Sequence, residues 1–152
     1  LDFIDISSED EGNEMVSLVR ILGKEKPISL KYFGDGVRRL LQITLSAFQI
    51  HENGYLLIDE FENGLHYSIQ EEVWEKLFKL AKELDIQVFA TTHSEDTIKA
   101  FCKVSLADDE VDGKLISLGR SAYGENKGKI MAIVHGEPND LQYIIDTGME
   151  TR

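Results

Sequence analysis

The sequence predicts an α/β domain, a mainly parallel sheet flanked by helices. Three stretches carry that expectation: the apolar run Tyr55-Leu56-Leu57-Ile58 ending at Asp59, the amphipathic segment Tyr67 to Leu84, and the run Ile86 to Thr92. A short continuous apolar run suits a parallel strand covered on both faces. Strand, helix and strand in that order form a βαβ unit with a right-handed crossover.

The remaining elements follow in chain order. Met15 to Leu22 is apolar enough for a strand, Gly23 to Pro27 is a turn, and Ile28 to Tyr32 completes a hairpin. After Phe33-Gly34-Asp35-Gly36, the segment Val37 to Ile50 carries apolar residues on most faces, which predicts a largely buried helix. Asn53-Gly54 breaks it. In Tyr67 to Leu84 the apolar positions recur at spacings of three and four among Glu, Lys and Gln, the pattern of a surface helix. Ser94 is placed to N-cap a helix reaching about Phe101. Lys114 to Leu118 and Ile130 to Val134 read as strands around the glycine-rich loop Gly119 to Gly128, and Pro138-Asn139-Asp140 introduces a short helix, Leu141 to Ile145.

Composition narrows the function. The chain has 152 residues, 28 acidic and 16 basic, a net charge of −12, and 42% hydrophobic residues. That length and apolar content support a real core. The lone Cys102 excludes an internal disulfide framework and a multi-cysteine zinc site. No apolar run approaches the ~20 residues of a membrane span, and the opening stretch is acidic, the opposite of a signal peptide. A cytoplasmic domain without membrane contact is the expectation. Charge is uneven: residues 1–14 carry −6 and read as an acidic, flexible N-terminal segment, whereas residues 15–58 carry +3. So acidic a surface is poorly suited to bulk nucleic-acid binding.

Parallel strands release their carboxyl ends at one sheet edge, where open α/β folds hold ligands. That places Asp59, Glu60 and Glu62 near Thr91, Thr92 and His93 although 34 residues separate Asp59 from His93. Acids at a strand end suit Mg²⁺, which takes one or two carboxylates and is completed by waters and substrate phosphates. A second carboxylate can orient a water, and a histidine across the crevice can donate to a phosphate oxygen. The same residues also fit a loop whose acids cap the helix starting near Tyr67, with His93 a polar residue beside a cap.

Tyr55-Leu56-Leu57-Ile58-Asp59-Glu60 resembles the Walker B strand of ABC-type ATPases. Glu62-Asn63-Gly64-Leu65-His66 resembles the D-loop of the OLD-family and SMC-like members, and Thr91-Thr92-His93-Ser94 resembles their histidine switch. Phe33 to Leu41 sits at the position of the ABC signature and its helix. Four motifs in this order span about residues 28–101. The resemblance implies a P-loop NTPase-like fold with residues 15–152 as the C-terminal lobe. It implies ATP and Mg²⁺ as cofactors, with Asp59 holding the metal through water, Glu60 polarising the attacking water and His93 sensing the γ-phosphate. Gly34, Asp35, Gly36 and Arg38 would face the nucleotide of a second head, and Glu62, Asn63, Gly64, Leu65 and His66 would line the contact between two heads. A glycine-rich helix start is physically suited to an anion, although the same residues also fit a plain turn with Asp35 as N-cap.

Two features depart from the family pattern. The signature serine has no counterpart beside Phe33-Gly34, and G-x-x-x-x-G-K-[ST] is absent from these residues. With Leu1 rather than methionine at the start, the resemblance implies a Walker A lobe elsewhere in the same protein, a head-to-head homodimer, and work in DNA repair, chromosome maintenance or phage defence. Any nucleic acid would be met by another part of the full protein, not by this acidic lobe. Two other readings are a self-contained metal-dependent phosphoesterase or nuclease using these acids with His66 or His93, and a non-catalytic regulatory or dimerisation module.

Overall fold

The computed structural model describes residues 3–10, 15–21, 26–108, 112–122 and 124–148. Strands β1 (Phe3–Asp10) and β2 (Met15–Ile21) pair antiparallel, Ile6 opposite Val19, and β3 (Ile28–Ser29) joins β2. Residues 3–10 of the acidic terminal segment thus form a strand. Ile4 and Ile6 alternate with Asp5 and Ser7, a strand pattern that becomes effective once β2 offers its edge. Residues 1–2 and 11–14 lie outside the described residues, as do residue 22 of the expected strand and 23–25 of the expected turn. The second hairpin strand is two residues long, because Leu30–Tyr32 turns into a 3-10 helix closed by the Phe33 N–H on the Leu30 carbonyl.

Helix α1 (Asp35–Phe48) buries Ile43 and Ala47 but leaves Leu45 and Phe48 exposed. It is covered on one face, which corrects the expectation of a largely buried helix. The chain then forms β4 (Tyr55–Ile58), α2 (Gln70–Leu84), β5 (Gln87–Ala90) and α3 (Glu95–Ala107). Strands β4 and β5 are parallel, with Tyr55 opposite Gln87 and Ile58 opposite Ala90. Leu56 and Ile58 are buried, whereas Tyr55 and Leu57 are 61% and 76% exposed. One sheet face is thus covered and the other open, where burial of both was expected. Ser94 caps α3 by accepting the Thr97 N–H, as the sequence suggested.

Strands β6 (Leu115–Arg120) and β7 (Ile130–His135) form an antiparallel hairpin, and α4 (Pro138–Thr147) starts at its proline. Among the described residues, parallel pairing is confined to β4–β5; the other two sheets are antiparallel. No helix among these residues is long and apolar enough to cross a membrane.

The main core joins Ile43 and Ala47 of α1, Leu56 and Ile58 of β4, Val73, Trp74 and Leu77 of α2, and Ala100 and Val104 of α3. A smaller cluster of Ile98, Cys102, Leu141 and Ile144 fastens α4 to α3. Burial without a charged partner pushes the Cys102 thiol up to about 11, so it behaves as a small apolar side chain. Phe61, fully buried just beyond β4, stacks on Trp74 with ring centroids 3.8 Å apart and planes 7° from parallel. That stack anchors the chain leaving β4 to the middle of α2. Trp74→Ala is expected to cost about 3–5 kcal/mol in a urea unfolding titration; a loss under 1 kcal/mol would show that Phe61 is anchored by other means.

Candidate functional site

Two chain segments leave the sheet side by side after Ile58 and Ala90. The Thr91 N–H continues the parallel ladder onto the Ile58 carbonyl at 2.9 Å, and the Phe61 N–H returns to the Thr91 carbonyl at 2.9 Å. Between them Glu60 adopts φ +48°, a left-handed conformation that costs a non-glycine residue about 1–3 kcal/mol. It is held by its surroundings. The Thr91 hydroxyl accepts the Glu60 N–H at 3.0 Å and donates to Asp59 Oδ1 at 2.5 Å. From α1, Arg39 Nη2 donates to the carbonyls of Asp59 and Glu60 at 2.6 and 3.3 Å. The Asp59 and Glu60 carboxylates stay exposed at the strand end.

Glu62 ties the two segments a second time. Its carboxylate accepts the Thr92 hydroxyl at 2.6 Å on one oxygen and the His93 N–H at 3.0 Å on the other. Partial burial pushes the Glu62 pKa up, but the bonds from Thr92, His93 and its own amide, with the nearby His93 ring, bring it below its usual value. Glu62, half-buried, is thus tied to the loop carrying His93. The His93 ring itself is exposed.

The segment that follows meets the start of α1. A Cβ on Gly36 would lie 2.9 Å from the Gly64 carbonyl oxygen, closer than real side chains approach, and Gly64 has φ +78°. Two glycines let the helix start and the turn touch backbone to backbone. The Asn63 and Leu65 amides close the turn on the carbonyls of Glu60 and Glu62, both at 2.9 Å. Leu65 is buried, and its carbonyl accepts from Gln70, which in turn accepts the Thr97 hydroxyl at 2.8 Å. His66 is exposed, with Nδ1 at 2.9 Å from Ser68 Oγ. Gly34 begins α1 with no side-chain cap, which leaves first-turn amides for a ligand. Arg38 is paired with Asp35 at the helix start and both are exposed.

Asp59 and Glu60 are thus tied to Thr91, Glu62 to Thr92 and the His93 amide, and Gly36 meets Gly64. Among the described residues no three His, Cys, Asp or Glu side chains converge as a metal cage. The donor set fits a cation held by one carboxylate and completed by phosphates, the usual habit of Mg²⁺. Nothing in the sequence singles out the role of Arg39, since Arg38 beside it is equally basic. A shallow cleft of about 150 Å³ between α1 and β4 is lined by Arg39, Gln42, Ser46, Leu57 and Asp59 among others.

This arrangement defines an α/β domain of P-loop NTPase-like fold. A solved structure from work on ATP-driven dimerization and DNA-stimulated activation of SMC ATPases matches it with a TM-score of 0.51 at 13% identity, covering 89% of this chain and 73% of that one. Residues 2–98 match the family described as AAA ATPase domain, and the chain belongs to that family. An ATP/GTP phosphatase of Helicobacter pylori is 32% identical over 131 residues, 78% of this chain. An uncharacterized protein of Methanocaldococcus jannaschii is 39% identical over 93 residues, 61% of this chain and 78% of that protein. The chain spans 35% of the length of the Helicobacter relative.

The lowered Glu62 pKa has a definite pH signature. A depressed carboxylate contributes stability that is full above its unfolded pKa, about 4.3, and lost as pH falls through the lower folded value. Glu62→Gln is therefore expected to destabilise the chain at neutral pH, with the gap from wild type closing in acid below pH ~4. Unfolding titrations across pH 3–8 check this; a constant gap would mean that the Glu62 charge is not what binds the His93 loop.

Proposed function

We propose that residues 15–152 are the C-terminal lobe of an ATP-hydrolysing head that is completed by a Walker A lobe elsewhere in the same protein. The carrying observation is the joining of Asp59, Glu60 and the His93 loop at one strand edge through Thr91 and Glu62. Membership of the AAA ATPase domain family and likeness to an ATP/GTP phosphatase support nucleotide hydrolysis. The sheet supports a missing lobe. Parallel sheets are covered on both faces, yet Tyr55, Leu57 and Phe89 lie exposed on this one.

In this reading Asp59, fixed by the Thr91 hydroxyl, holds Mg²⁺ through water, and the ion supplies charge neutralisation on the phosphates when bound. Glu60 orients the attacking water, its direction set by the left-handed backbone. His93 donates toward the phosphate where charge develops. The amides at Gly34, Asp35 and Gly36, with Arg38, face the nucleotide of a second head, and Asn63, Gly64, Leu65 and His66 lie at the contact between heads. The solved neighbour's connection with ATP-driven dimerization supports that pairing. Kinship to the OLD family, and work on DNA by other parts of the protein, belong to the same proposal. A self-contained phosphoesterase is less well supported, because Glu62 is engaged with Thr92 and His93 and His66 with Ser68.

In the complete protein, Glu60→Gln is expected to lower ATP turnover by ~10²–10⁴-fold while ATP affinity stays within a few fold. Turnover near wild type would contradict the assignment of Glu60. Metal-dependent phosphodiester cleavage by the 152-residue chain without ATP would favour the phosphoesterase instead.

A further inference from the structure

The two arginines opening α1 differ in what they touch. Arg38 pairs with Asp35 at the exposed helix surface. Arg39, half-buried, crosses to the other element and donates through one terminal nitrogen to two successive carbonyls, Asp59 at 2.6 Å and Glu60 at 3.3 Å. Its Nε is buried, with no hydrogen-bond partner among the described residues. The two carbonyls flank the point where the backbone leaves the extended conformation for φ +48° at Glu60. The Glu60 carbonyl also accepts the Asn63 N–H at 2.9 Å, so Arg39 supports the same oxygen that closes the following turn. Gly36, three residues earlier on α1, meets that turn at Gly64. The start of α1 and the Asp59–Glu60 turn are thus joined at two points, one polar and one steric.

We propose that Arg39 is a positioning residue: its guanidinium fixes the two peptides that flank Glu60, aims the Asp59 and Glu60 carboxylates, and makes their direction depend on where α1 sits. The physical ground is that a strong, charge-assisted donor shared by two successive carbonyls resists rotation about the backbone bonds of the residue between them. A left-handed, non-glycine residue needs such outside support to persist. The catalytic consequence rests on the proposed ATPase reading, whereas the tie itself does not. A ligand that draws the helix start toward it would then reorient Glu60 without touching it.

The test compares Arg39→Met and Arg39→Lys with wild type in the full-length protein, reading both amide exchange and ATP kinetics. Arg39→Met is expected to speed exchange of the Asn63 amide about tenfold or more, leaving the amides of α2 and α3 unchanged. It should lower kcat at least tenfold with KM for ATP within about twofold. Arg39→Lys, which keeps one charged donor, should fall between the two. Unchanged exchange at Asn63, a rise in KM alone, or faster exchange spread over α2 and α3 would overturn the proposal. A wild-type protein that turns over no ATP would overturn the ATPase reading instead, and the exchange data would still decide whether the tie exists.

Discussion

The parallel register of β4 and β5 sets Ile58 beside Ala90, so Asp59 and Thr91 leave the sheet together. A threonine hydroxyl at that place has one donor and two acceptor positions. It donates to the Asp59 carboxylate and accepts from the Glu60 amide. One small side chain therefore fixes the first acid directly and the second through its backbone. A register slip of one residue would turn every side chain of β5 to the other face and carry Thr91 out of reach. The Phe61–Trp74 stack holds the chain on the far side of the turn, which makes the left-handed Glu60 sustainable.

Helix α1 is bound to this edge from outside the sheet. The close approach of Gly36 and Gly64 needs two residues without side chains, and Arg39 supplies the charged bond. Glu62 completes the frame by joining the turn after Glu60 to the loop of His93. Three segments distant in sequence are thereby tied together: the helix start, the acidic turn running on through Leu65, and the His93 loop.

Much of this was legible in the residues. Period and breakers placed α1, the βαβ unit and α3, because apolar spacing and capping act locally. Parallel topology was enough to bring Asp59 to His93. What the residues did not disclose depends on partners across space. The acidic first strand forms only because β2 offers an edge, and the exposed faces of β4 and α1 reflect what covers them, not their own composition. The bonds of Glu62 to Thr92 and the His93 amide join two segments 30 residues apart, so local sequence does not show them. Arg38 and Arg39 are interchangeable in sequence, and the turn of the helix sends one to Asp35 and the other to the Asp59 carbonyl.

In the proposed function the acidic edge is one half of an ATPase, and the phosphate-gripping half lies in another lobe. Titrating the 152-residue chain with the separately prepared Walker A lobe, and following phosphate release from ATP with Mg²⁺, tests it most directly. Neither part alone should turn over ATP, and turnover should rise saturably as the two are mixed. Steady hydrolysis by this chain alone, or none at any ratio of two folded lobes, would contradict it.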